Sequence, residues 1–282
     1  MFLVSMIMKS IVEILKQLIN DSDAIVIGAG AGLSAAAGFN YGGEFFKNNF
    51  PEMYKLGYRD MYSAGFHNFL TSEEKRAYWS KQTYYCRYQG VKKLYQNLFE
   101  IVKNKNYFVI TTNADHQFQL AGFDKKRLYY TQGDYGLFQC SNPCHNKTYD
   151  NEKTIIKMVK EQKNNVIPSL LIPKCPICGR EMTTNLRIDE KFVQDDGWYK
   201  ARERYNQFLN ENKEKKILFL ELGVGFNTPG IIKIPFIQMT QSFKNAHYVV
   251  INKGENYLPK EIKNKTIMVN EDINDIIALI LK

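Results

Sequence analysis

The sequence predicts an α/β fold built around one open, mainly parallel sheet. Three observations predict it: apolar runs of strand length recur along the chain, helix-like stretches separate them, and each run stops at a small or amide-rich polar motif. The runs are AIVI before GAGAGLSAAAG, YFVI before TTNAD, RLYYT before QGD, ILFLEL before GVGFNT, and YVVI before Asn252. Parallel strands that end this way gather their polar motifs along one carboxyl rim. Glycines and helix amino-termini on such a rim present backbone N–H groups to phosphate, so the expected core is a Rossmann-like parallel sheet with a nucleotide crevice.

Taken in order, the chain opens with MFLVSMIM, an apolar stretch that stops at Lys9. It is too short to span a bilayer and lacks the charged start and cleavage site of a secretory leader. Ser10 to Asn20 reads as an amphipathic helix with Ile11, Ile14, Leu15 and Leu18 on one face, leading into the first strand. From Phe39 to Phe99 the chain is aromatic and shows no strand alternation, which predicts a helical insertion. From Gln139 to about Gly197 it carries two cysteine pairs, prolines and a charged helix-like run, Lys153 to Lys163. Ala201 to Asn212 reads as a helix, strands follow near Ile217, Tyr248 and Ile267, and an aspartate-capped helix from Asp272 closes the chain. The expected division is residues 1–38, 100–138 and 200–282 for the sheet domain, 39–99 for the helical insertion and 139–199 for a zinc-ribbon module. Insertion and module together form a smaller domain.

A chain of 282 residues, 44% hydrophobic, can bury a full core. The net charge of +9 is spread over lysines interspersed with acids, which reads as a solvated surface able to attract an acidic partner and not as a nucleic-acid footprint. No membrane partner is expected. Four of the five cysteines form two close pairs, a pattern of metal binding in a reducing compartment, so the expected location is cytoplasmic. Cys140 and Cys144 are separated by three residues, Cys175 and Cys178 by two, and thiolate pairs in such turns suit tetrahedral structural zinc. His145 borders the cluster as a substitute ligand, whereas the isolated Cys86 reads as core packing.

Gly28, Gly30 and Gly32 follow the first strand and allow a tight turn close to a pyrophosphate; the alternative, a packing turn, is weakened by the other motifs of the rim. No acidic residue follows a second strand at the spacing of dehydrogenases, which disfavours hydride transfer.

GAGLSAAAG (Gly30 to Gly38) resembles the GAGIS motif of sirtuins, TTNAD (Thr111 to Asp115) their TQNID, Ala121-Gly122 the AG that follows, and INKGE at Asn252 their ribose-binding INxE. TTNADHQF, QGDYG, CSNPCH, NLRIDEKFVQDDGW and ELGVGFNTPGIIKIPF resemble the class M, macrodomain-linked branch. The resemblance implies an NAD-dependent protein ADP-ribosyltransferase acting on a lipoyl carrier protein similar to the glycine-cleavage H protein, with a macrodomain ADP-ribosyl hydrolase as a further partner. By motif position, Asn113 holds the nicotinamide ribose, Asp115 accepts from the nicotinamide amide, and Gln132 positions ribose hydroxyls or the acceptor. Gly30, Ala31, Gly32, Ser34, Gly223, Gly225, Asn227 and Asn252 complete the expected NAD site, with Thr228, Lys253 and Glu255 nearby.

The departures from the deacylase pattern carry chemistry. Gln132 stands where deacylases have the histidine of an HG motif, and a carboxamide does not titrate near neutral pH, so it is no general base. Deacylation is therefore disfavoured, whereas an acceptor carboxylate is already ionised and needs no base. Asp134 is either a substitute base or a turn cap, and His116 either touches the site or packs. In place of IPDFR the chain has Phe39-Asn40-Tyr41, so Tyr41 or Phe45 either covers the nicotinamide or joins the core. Asn185, Arg187 and Asp189 replace a peptide-docking strand, and Arg187 either pairs with a ligand carboxylate or phosphate or forms an internal salt bridge. The competing readings are an NAD hydrolase, a non-catalytic NAD or ADP-ribose sensor, and a weak deacylase.

Overall fold

The computed structural model of the chain describes residues 2–254 and 258–282, with side chains from Met8 onward. Glu255 lies outside the described residues. The strands are β1 (Ala24–Ala29), β2 (Tyr107–Thr111), β3 (Leu128–Tyr130), β4 (Gly133–Cys140), β5 (Tyr149–Asp150), β6 (Met182–Leu186), β7 (Ile217–Leu222), β8 (Ala246–Ile251) and β9 (Thr266–Val269). Six of them form a sheet in the order β3-β2-β1-β7-β8-β9, with every pair parallel.

Its strands are continuous apolar runs because both faces are covered. In β1, Ile25 and Ile27 enter one core and Ala24 and Val26 the other; in β7, Leu218 and Leu220 alternate with Ile217 and Phe219 in the same way. The first face is closed by Leu15 and Ile19 of helix Phe2–Asp21, Leu94 and Leu98 of helix Lys93–Val102, and Ile276 and Ile280 of helix Ile273–Leu281. The second is closed by Ala201 and Tyr205 of helix Asp196–Asn212 and by Phe236 of helix Lys233–Ser242. Helix Lys93–Val102, most of which falls in the 39–99 range expected for the insertion, packs in the sheet's own core. No helix among the described residues is long and apolar enough to cross a membrane.

The aromatic stretch folds into short helices Gly43–Asn49, Pro51–Lys55 and Met61–Gly65, followed by the longer helix Ser72–Arg87. Thr71 and Glu74 start that helix with reciprocal capping bonds. Its Tyr78 and Cys86 pack with Phe46 and Phe50, while its Ala77 packs with Phe138 and Ile155 beside the cysteines, so one helix joins the insertion to the cysteine module. In that module β4 lies between β5 and β6, antiparallel to both. Gly133 pairs with Leu186 at one end of the β4–β6 ladder, and Cys140 with Met182 at the other. The ladder therefore runs from the cysteines at one end to Gln132 and Arg187 at the other.

Candidate active site

Strand order reverses between β1 and β7, and at that switch point the sheet's carboxyl rim opens into a cavity of about 650 Å³. Gly30, Ala31 and Gly32 line it after β1, Asn113 and Asp115 after β2, and Gln132 after β3. Gly223, Gly225, Asn227 and Thr228 line it after β7, and Asn252 after β8. Of the residues expected to bind NAD, Ser34 alone is not in the lining; it is buried one layer behind.

The two glycine turns pack on each other. A Cβ on Gly30 would lie 2.7 Å from the Gly223 carbonyl oxygen, one on Gly32 2.7 Å from the Gly223 Cα, and Gly223 itself sits at φ +63. The turns are glycine-rich because their backbones touch. At Gly225 a Cβ would meet nothing within 4 Å, so there the open space belongs to the cavity. Beneath the second turn, Lys233 is ion-paired with buried Glu221, which also accepts a close hydrogen bond from the Tyr248 hydroxyl. These groups fasten the chain immediately before and after the 223–232 loop.

Asn113 Nδ2 donates to the Gly30 carbonyl at 2.9 Å and to the Tyr95 hydroxyl at 3.3 Å, which fixes the amide and leaves its oxygen as the group available to a ligand. Asp115 accepts from the Ser34 hydroxyl at 2.5 Å, the Tyr95 hydroxyl at 3.3 Å and the Gln117 backbone N–H at 3.1 Å. Burial raises its pKa above the usual carboxylate range, against the lowering effect of these donors. Ser34 thus touches Asp115 and not the cavity.

The Gln132 carboxamide lines the cavity and makes no hydrogen bond to another described residue. The neighbouring acid has other partners: Asp134 is buried, pairs closely with His116, accepts from the Gly136 backbone N–H at 2.7 Å and lies 3.5 Å from Arg87 Nε. Neither Asp134 nor His116 is in the cavity lining; Asp134 caps the turn at Gly136 and pairs with His116. Arg187 is exposed on the cavity wall with no internal ion pair among the described residues. Asn185 is buried, donating to Gln139 Oε1 and the Val193 carbonyl, which removes it from partner docking. Tyr41 lines the cavity, stacked near Phe39, while Phe45 packs edge-on against Tyr85 in the insertion's core. Lys253 is not in the lining.

The sequence reading missed Tyr62, Phe66, Trp79 and Gln82, which also line the cavity. They come from the insertion, where aromatic content reads as core; no local signal separates the lining residues from the packed ones.

The sulfur atoms of Cys140, Cys144, Cys175 and Cys178 lie within 4.8 Å of one another, with Cys140 and Cys178 3.6 Å apart and Cys144 and Cys175 3.7 Å apart. Tetrahedral zinc at its usual thiolate distance needs edges of roughly 3.8 Å, so the four residues fit that metal. His145 Nδ1 lies 3.0 Å from the Cys144 sulfur and stands outside this set of four. Cys86 is buried far from such use, with its thiol pushed well up by burial.

No protein-family model matches the chain. It is 40% identical over 276 residues to the "Protein ADP-ribosyltransferase" of Staphylococcus aureus, covering 96% of this chain and 87% of that protein. It is 31% identical over 231 residues to a "Probable bifunctional ADP-ribose hydrolase/ADP-ribosyltransferase" of Fusarium oxysporum f. sp. cubense, covering 78% of this chain but 38% of that longer protein. Among solved structures, Sir2Tm bound to a propionylated peptide superposes over 94% of both chains with TM-score 0.60 at 18% identity. A Sir2–p53 peptide–NAD+ complex superposes over 94% of this chain and 95% of that one with TM-score 0.56 at 17% identity.

Proposed function

Since the chain belongs to the sirtuin family, as one of its NAD-dependent protein ADP-ribosyltransferases, we propose that it transfers ADP-ribose to a carboxylate, or a similar side chain, of a lipoyl carrier protein resembling the glycine-cleavage H protein. The single observation that supports the choice of acceptor is Gln132, a cavity-lining carboxamide with no hydrogen bond to another described residue, while the nearby acid and histidine are engaged with each other.

NAD lies across the rim, its phosphates and adenosine ribose against Gly30, Ala31, Gly32, Gly223, Gly225, Asn227 and Asn252. Asn113 holds the nicotinamide ribose through its free amide oxygen, and Asp115 takes a hydrogen bond from the nicotinamide amide. The bond between ribose C1′ and the pyridinium nitrogen breaks, its electron pair neutralises the nitrogen, and nicotinamide leaves. An acceptor carboxylate oxygen forms the new bond to C1′. The anion meets the ribosyl cation, no proton is taken up or released, and no base is needed. Gln132 orients the ribose hydroxyls or the acceptor, and exposed Arg187 is suited to the incoming carboxylate by its planar donors. Cys140, Cys144, Cys175 and Cys178 would hold zinc, which would supply no reaction chemistry and would fasten the far end of the β4–β6 ladder. A macrodomain ADP-ribosyl hydrolase is the partner expected to remove the modification, and the Fusarium relative's name joins both activities in one chain.

Incubating the purified protein with adenine-labelled NAD, with and without lipoylated carrier, tests the reading. Label on the carrier is the expected result. Free labelled ADP-ribose irrespective of carrier would make the protein a hydrolase, and NAD binding without nicotinamide release would make it a sensor.

A further inference from the structure

Asp115 is held from both sides by the start of β4. On one side the Ala114 carbonyl accepts the Tyr135 backbone N–H at 3.0 Å, and on the other His116 Nδ1 pairs closely with the Asp134 carboxylate. Tyr135 and Asp134 lie just past Gln132 in the chain. The loop that presents Asn113 and Asp115 is thus tied, by one backbone bond and one side-chain bond, to the segment that presents Gln132.

Asp134 is the fixed half of the side-chain tie. It is 4% exposed, and its Oδ1 accepts from the Gly136 N–H of its own strand and lies 3.5 Å from Arg87 Nε at the end of helix Ser72–Arg87. His116 is the half that reaches across, and it does so from an uncommon backbone conformation, φ +63. The other described non-glycine residues at positive φ are Asn164 and Asn165. A glycine would adopt this region without strain and an asparagine with little, so a histidine retained there beside a reacting centre points to its side chain. The angle also bears on Asp115 directly: helix Gln117–Leu120 starts from it, and the Gln117 N–H donates to Asp115 Oδ1 at 3.1 Å.

We propose that His116 is a positioning residue: by donating Nδ1–H to Asp134 it sets the spacing between Asp115 and Gln132, and so aligns the departing nicotinamide with the attacking group while touching neither. The inference rests on the transfer reading above, in which Asp115 takes the nicotinamide amide and Gln132 the ribose hydroxyls or the acceptor. An N–H at Nδ1 exists in one neutral tautomer and in the cation alike, so an uncharged donor at the same reach can replace it. Loss of the bond should fall on turnover and not on binding, because the phosphates and adenosine ribose are held by the glycine turns and Asn252 on the other side of the cavity.

The natural protein is compared with His116→Gly and His116→Asn. The first relieves the left-handed backbone and removes the donor; the second tolerates the same φ and carries its N–H one bond from Cγ, as Nδ1 does. Nicotinamide release and label transfer to the lipoylated carrier are followed at a temperature where melting curves show every variant folded, and NAD affinity is measured without carrier. His116→Gly is expected to lower kcat for nicotinamide release by about 10- to 100-fold while Kd for NAD stays within about threefold, and His116→Asn to restore most of the rate. Natural turnover in His116→Gly, a His116→Asn variant as slow as His116→Gly, or NAD affinity lost in step with kcat would overturn the proposal. Nicotinamide leaves whatever receives the ADP-ribose, so the two readings fail separately. Release that ranks the variants as expected, with no label on the carrier, overturns the transfer reading alone; no release from the natural protein overturns both.

Discussion

Asp115 sets burial against hydrogen bonding at a single residue. Three donors hold its carboxylate, yet burial outweighs them and raises its pKa. The native chain therefore keeps this proton to higher pH than the unfolded chain does, and ligand-free stability falls as pH rises from the ordinary carboxylate value through the raised one. Asp115→Asn abolishes that ionisation, and the hydroxyls of Ser34 and Tyr95 can turn to accept from the new amide. Thermal melts between about pH 4 and pH 8 should show the variant gaining on the natural protein as pH rises, while label transfer falls by about 100-fold. Parallel melting profiles would contradict the assignment. Asn113→Ala should cost a similar factor in transfer through loss of the ribose contact, and full retained activity would remove Asn113 from the site. Asn113 and Asp115 were expected here from their place in the TTNAD motif that follows β2, and both line the cavity. Their partners were not legible: Ser34 and Asp115 are 81 positions apart, and His116 and Asp134 come together only when β4 follows the sheet.

At the scale of elements, the sheet was readable because doubly covered parallel strands must be apolar throughout and must stop where backbone polarity is needed. The glycine turns were readable as turns but not as partners of each other. Gly223→Ala would place a Cβ 2.3 Å from the Leu33 backbone nitrogen at positive φ, so urea unfolding should show a loss of about 2 kcal/mol or more. Gly225→Ala meets open space; its stability should stay within about 0.5 kcal/mol while its affinity for NAD drops. Equal effects at the two positions would refute the division between packing glycine and ligand-facing glycine. The fastening of the 223–232 loop gave no local sequence signal, since Glu221 and Lys233 are 12 positions apart and lie in elements of different type. Lys233→Met strands a buried carboxylate and should destabilise the protein by about 3 kcal/mol, with Glu221→Gln added to it restoring much of the loss. A double variant as unstable as the single one would show that packing, not charge, holds the loop.

At the scale of the molecule, the cavity lies where three parts meet: the sheet rim, the helical segment and the β4–β6 ladder. The ladder would let a metal held by the cysteines matter to the site, because Cys140 pairs at one end and Gly133, next to Gln132, at the other. Removing metal with a strong chelator should lower the melting temperature and the transfer rate together, and added zinc should restore both; activity indifferent to chelation would separate the module from the site. The helical wall was the least legible part, as its aromatic residues look alike in sequence whether they face the core or the cavity.

The account turns on Gln132 serving where no proton needs to move. The most direct measurement follows, side by side across neutral pH, ADP-ribose transfer to the lipoylated carrier and deacylation of an acyl-lysine peptide by the natural protein and by Gln132→His. The account predicts that the natural protein transfers label with no inflection near the histidine pKa and deacylates at least about 100-fold more slowly than it transfers, with any gain in deacylation confined to the histidine variant. Deacylation by the natural protein at a rate matching transfer, or transfer that appears only once histidine is installed, would contradict it.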